Sequence, residues 1–147
     1  MAKLNLNALK SSLNSLEELL ENKKNFAKEY TKFFGEESYK KMDRHLRSGA
    51  IKEFETTFEL VWKILRRYIM MNHNIPDSTL QYRNVFRYAG EYGYISNVDY
   101  WFEVKSTRNE TVHIYDEVIA DEVFLAISTF VVETRKIINS LEELSSI

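Results

Sequence analysis

Apolar residues recur three and four positions apart along most of this 147-residue chain, and only one proline and four glycines interrupt them. Such a repeat matches the α-helix, at about 3.6 residues per turn, and gathers the apolar side chains on one stripe. Leu6, Leu9, Leu13, Leu16 and Leu20 open the first stripe, which continues through Ala27, Tyr30 and Phe34 and stops at Gly35. A second runs through Leu46, Ile51, Phe54, Phe58, Val61, Leu65 and Tyr68, with Trp62 and Ile69 widening it, and ends before Pro76 because proline disfavours helix in the residue ahead of it. Leu80, Val85, Phe86 and Ala89 predict a short third helix that starts from a Ser78/Gln81 capping box and is ended by Gly90 and Gly93. Ser96 or Asn97 caps a fourth helix carrying Tyr100, Trp101 and Val104, and Val123, Ile127, Phe130, Thr134, Ile137, Leu141 and Leu144 mark the last. Residues 35–43 and 73–78 read as ordinary connections.

These stripes predict an all-α, up-and-down bundle of four to five helices, forming one domain over residues 1–147. The same spacing suits a self-complementary face, so a homodimer is expected.

The remaining composition narrows the function classes. Twenty basic against 22 acidic side chains leave a net charge of −2, so no global field draws the chain to nucleic acid or an anionic membrane, and any such contact must be local. The absence of cysteine removes disulfides, thiol nucleophiles and the common zinc-finger ligand sets. His45 and His73 lack companions at ligand spacing, so neither a metal nor a cofactor is expected. No apolar signal core opens the chain at Met1-Ala2-Lys3-Leu4-Asn5, and no apolar run approaches the roughly 20 residues of a membrane span. A soluble, cytoplasmic protein is the expectation. Glycine-rich phosphate loops and Gly-x-Ser-x-Gly elbows are also missing.

The densest run of reactive side chains is Lys105-Ser106-Thr107-Arg108-Asn109-Glu110-Thr111-Val112-His113-Ile114-Tyr115-Asp116-Glu117. On a continuous helix, at about 100° per residue, Arg108 and Tyr115 nearly eclipse one another while His113 lies roughly 140° round from Arg108. One helix cannot aim all three at a point. Either the helix is distorted near Asn109, or a second copy of the chain supplies the missing side chain across a two-fold axis. Arg108 shares a stripe with Trp101, Val104 and Val118, where an unpaired guanidinium costs several kcal/mol, roughly, so it needs a carboxylate or an anionic ligand.

The Arg108-to-His113 segment resembles the R-x4-6-H signature of HEPN domains, and His113-Ile114-Tyr115 extends it to the R-x4-H-x-Y form of the HepT-like branch. Residues 51–63, from Ile51 through Phe54, Phe58 and Trp62 to Lys63, are similar to the second-helix signature of the "nucleotidyltransferase substrate binding protein" family, and Val85-Phe86-Arg87 and Trp101 fall at its later landmarks. The resemblance spans roughly residues 5 to 145. It implies a homodimeric HEPN bundle acting beside a separately encoded minimal nucleotidyltransferase. It further implies a metal-independent RNase toxin with Arg108 and His113 as catalytic residues, Asn109 in support, and Tyr115 as the site at which adenylylation neutralises it. The residue types suit that chemistry, since RNA cleavage without metal needs a proton shuttle near neutral pH and a cation on the phosphate.

Two other readings stand beside it. In one, the same residues hold a nucleotide or dock the enzyme without turnover. In the other, the chain is a structural helical dimer in which Arg108 pairs with a neighbouring glutamate and His113 caps a helix. Lys40, Lys41, Arg44, Arg47, Lys63, Arg66 and Arg67 can frame an RNA-facing rim, although such runs are usually solvated helix faces.

Overall fold

A computed structural model describes residues 5–145, the side chains of Ala27, Lys28 and Ser145 excepted. The side chain of the first-stripe position Ala27 and the opening residues Met1 to Leu4 therefore lie outside what is described. The described residues form five α-helices: α1 (Asn7–Phe34), α2 (Glu36–Asn72), α3 (Tyr82–Glu91), α4 (Val98–Glu110) and α5 (Glu117–Ser145). Single 3-10 turns occupy Asp77–Thr79 and Thr111–His113, and no strand occurs among the described residues.

Side-chain pairs fix the directions. Ser12 Oγ lies 2.6 Å from Thr57 Oγ1 and Lys23 lies 3.0 Å from Asp43, so α1 and α2 run antiparallel. Lys10 pairs with Glu142 and Arg135 with Glu17, which sets α5 antiparallel to α1. Phe54 meets Phe130 edge-on at 4.8 Å, and Arg47 bonds Asp121, so α5 runs with α2. Arg108 faces Glu55 and Lys105 faces Phe58, which sets α4 antiparallel to α2. The result is the expected up-and-down arrangement, with short α3 laid against α2 and α4.

An aromatic chain forms the centre of the core. Phe58 is followed by Phe86 at 6.1 Å, Trp101 stacked on Phe86 at 5.6 Å, and Phe130 at 5.9 Å from Trp101. All four are essentially inaccessible to solvent, as are Leu9, Leu13, Leu16, Ile51, Leu65 and Ile127. The α2 and α5 stripes behave as expected from Ile51 to Ile69 and from Val123 to Leu141, Thr134 included; only Leu144, in the last turns of α5, is exposed.

The first stripe departs from expectation at its far end. Phe34 is exposed and Tyr30 half-buried. Residues 36–43 are not a loop but the first turns of α2, because Gly35 alone, at φ +85°, joins the two helices. Only glycine adopts that backbone at no steric cost. The two helices consequently run on past the start of α5 as an arm, on which Phe26, Tyr30, Phe34 and Tyr39 stack on one another. A helical period reads amphipathicity but not whether a neighbour exists to cover the apolar face.

Ser78 and Gln81 form no capping box: Ser78 lies in the 3-10 turn and α3 starts without a side-chain cap. Asn97 does cap α4, accepting from the Tyr100 N–H at 3.1 Å. Gly90 lies inside α3 and Gly93, at φ +80°, follows its end. The reason for a glycine at 90 is proximity: a Cβ there would fall 2.2 Å from Val98 Cγ2. Valine holds a stiff χ1, so the helices themselves would have to part. Gly90→Ala is expected to destabilise the fold by about 1–3 kcal/mol, read from the midpoint of urea unfolding.

His73 is structural. Its ring lies flat on Tyr92 at 3.5 Å and its Nε2 sits 2.7 Å from the Tyr94 hydroxyl, tying the end of α2 to the α3–α4 connection. Burial raises the Tyr94 pKa above its ordinary value.

Candidate functional site

The reactive segment is where α4 ends and α5 begins. No glycine or proline stops α4 at Glu110; the Thr111 hydroxyl does, donating to the Arg108 carbonyl at 2.7 Å. One 3-10 turn over Thr111–His113 follows, and then Asp116 starts α5 by accepting from the Val118 N–H at 2.9 Å and the Ile119 N–H at 3.4 Å. The cap here is thus Asp116, and His113 is not one. The distortion expected near Asn109 begins just beyond it.

This break redistributes the side chains. Val118 leaves the Arg108 stripe and is 66% exposed, because it belongs to a separate helix. Trp101 and Val104 remain buried beneath α4. Arg108 is half-buried: its Nη1 donates to Thr111 Oγ1 at 3.0 Å, and its Nη2 stands 3.8 Å from Glu55 Oε2 on α2. Its Nε is buried with no hydrogen-bond partner. Asn109 is exposed on the last turn of α4. His113 is exposed too, with Nδ1 3.4 Å from the hydroxyl of Tyr115, and Tyr115 is 81% exposed. The turn therefore brings His113 to Tyr115, while among the described residues no hydrogen bond or ion pair joins either of them to Arg108.

Arg47 serves a different purpose from the one its place in a basic run suggests. It is buried, donates to Asp121 at 2.8 Å and to Glu117 at 2.7 Å, and so pins the first turns of α5 to α2. Burial opposes its charge, but hydrogen bonds and attraction from Glu117 and Asp121 outweigh that, and its pKa stands above the ordinary arginine value. Arg66 is likewise tied to the Leu80 carbonyl and to Asp77. Two members of the predicted rim are therefore braces. Glu55 and Thr111 are site residues that local spacing did not mark. Thr111 lies three residues beyond Arg108, a helix-neighbour distance that offers a signal; Glu55 lies on another helix and offers none.

Among the described residues no group of three or more His, Asp or Glu is placed to hold a metal ion, and no helix is long and apolar enough to cross a membrane.

The fold, with an incompletely bonded arginine, an exposed imidazole and an exposed phenol at one helix junction, places the chain among the all-α helical bundles. Within that class the chain belongs to the family described as nucleotidyltransferase substrate binding protein like, which matches residues 4–143. It is similar to the "Probable ribonuclease HepT" of Haemophilus influenzae, at 29% identity over 98 residues covering 65% of this chain and 67% of that protein. It is also similar to a solved Haemophilus influenzae structure described as the fold of a substrate binding domain of a nucleotidyltransferase. That match has a TM-score of 0.80 and 25% identity, and covers 94% of this chain and 99% of the other.

Proposed function

We propose that this protein is a homodimeric, metal-independent RNase that works beside a separately encoded minimal nucleotidyltransferase, which silences it by adenylylating Tyr115. The observation that carries the reading is the junction of α4 and α5, where a guanidinium with donors to spare, an exposed imidazole and an exposed phenol lie within eight residues. Arg108 holds the scissile phosphate. His113 takes the proton of the 2′-hydroxyl as that oxygen attacks phosphorus, and the departing 5′-oxygen receives a proton from the His113 of the second protomer. Imidazole is the side chain most often used to take and return a proton in this way.

The dimer is favoured by the surface beside the motif. Val118, Leu125 and Val132 stand seven apart on the outer face of α5 and are 66%, 75% and 54% exposed, with Val112 at 67% next to His113. Between α4 and α5 runs a cavity of about 180 Å³, lined by Val104, Thr107, Ala126 and Thr129 among others. A two-fold axis along this stripe buries it against itself and draws two copies of the junction together.

In the silenced state the Tyr115 oxygen has attacked the α-phosphorus of ATP and pyrophosphate has left. The test is intact mass after co-expression with the candidate nucleotidyltransferase. Wild-type protein is expected to gain one or more adenylyl groups and Tyr115→Phe none. A stable complex with no mass gain would instead establish a non-catalytic binding subunit, the reading favoured by the absence of any bond between Arg108 and His113 within one chain.

A further inference from the structure

Arg47 on α2 and Arg108 at the end of α4, the two arginines braced near this junction, are satisfied to different degrees. Arg47 makes two charge-assisted hydrogen bonds, at 2.7 and 2.8 Å, and its side chain is 9% exposed. Arg108 makes one hydrogen bond, to a neutral threonine, and its side chain is 26% exposed. Among the described residues the carboxylate paired with it is Glu55, at 3.8 Å, beyond hydrogen-bonding distance and close enough for electrostatic attraction. The first arrangement is a closed brace. The second is a cation whose charge is balanced by a counter-ion that is not hydrogen-bonded to it.

We infer that Glu55 is a displaceable counter-ion of the site, which an incoming phosphate must outcompete for Arg108. The inference rests on the reading of Arg108 as the phosphate holder. Guanidinium presents its donors in a fixed fork that matches two oxygens of one phosphate. Nη2 and Nε make no hydrogen bond here; Nε is buried, so an incoming phosphate meets Nη2. A phosphate oxygen at Nη2 gains a charge-assisted hydrogen bond where Glu55, at 3.8 Å, supplies none. The carboxylate therefore lowers the affinity of Arg108 for its anion until it is displaced.

The test is equilibrium binding of a fluorescein-labelled single-stranded RNA octamer, followed by anisotropy, to wild type, Glu55→Gln, Glu55→Asp and Arg108→Gln. A counter-ion that competes with the ligand predicts tighter binding when its charge is removed, by roughly two- to fivefold for Glu55→Gln, the range of a partly exposed ion pair. Glu55→Asp, which draws the carboxylate back, shifts affinity the same way and less. A merely structural glutamate predicts unchanged or weaker binding in both variants, and that result overturns the proposal. Arg108→Gln separates the two levels. If it loses RNA binding while neither Glu55 variant tightens it, only the role of Glu55 falls; if it binds as wild type does, the phosphate-holding reading falls and this inference with it.

Discussion

His113→Ala is expected to lower RNA cleavage by about 10²- to 10⁴-fold while leaving thermal unfolding unchanged, the range that general acid–base groups contribute. The imidazole is exposed and its one polar neighbour is the Tyr115 hydroxyl at 3.4 Å, so its removal opens no cavity and strands no buried donor. Surface changes of that kind stay within about 0.5 kcal/mol. The proper measurement is a single-turnover rate on a defined RNA beside a melting curve. A full-rate variant would remove His113 from the chemistry. A variant that both melts early and cuts slowly would assign it to the architecture of the turn. The substitution is informative because the structure separates these outcomes: the turn is held by Thr111 and Asp116, not by the histidine.

That separation was only partly legible in the amino-acid order. The spacing of Ile51 to Ile69 and of Val123 to Leu141 foretold two buried faces, since a helix that buries one side writes a period of about 3.6 into its own residues. Arg108, Asn109, His113 and Tyr115 were likewise visible as a dense local run. What lay beyond reach was any relation between distant segments. Arg108 and Glu55 are 53 residues apart, and Arg47 meets Asp121 across 74. Nothing local distinguishes Arg47, a buried brace, from Arg44 three residues earlier, which is exposed and 3.9 Å from Glu117. The same limit misplaced Phe34, whose stripe is amphipathic although no third helix reaches it, and Val118, whose register was counted through a helix that ends at Glu110.

The end of α4 also shows how a helix stops without a glycine or proline. Thr111 is buried, its hydroxyl satisfies the Arg108 carbonyl, and the same oxygen receives the Arg108 guanidinium. Serine and threonine compete in this way for backbone groups and disfavour continued helix. One side chain thus ends the helix and orients the arginine, so the site and the local fold share a cause.

Trp101→Ala carries the largest expected effect on stability, about 3–5 kcal/mol, because a fully buried indole takes its transfer energy with it and leaves a cavity. The ring is 2% exposed, stacked on Phe86 at 12° and packed edge-on against Phe130 and Tyr100. Rings of that kind cannot collapse into the vacated space without leaving their own contacts. Against a total stability of about 5–15 kcal/mol the loss is a large fraction, and a fall in Tm of roughly 10–20 °C is expected for a chain of this length. Trp101→Phe, which keeps the stack, should recover most of it. The consequence for the site follows from the same helix. Arg108 lies two turns beyond Trp101 and over the same face, so the packing that holds Trp101 also holds the guanidinium against α2. Trp101→Ala is therefore expected to weaken RNA binding even at temperatures where it is folded, whereas His113→Ala is expected to spare binding. An alanine variant that melts early yet binds RNA as wild type does would show that Thr111 alone is sufficient to position Arg108.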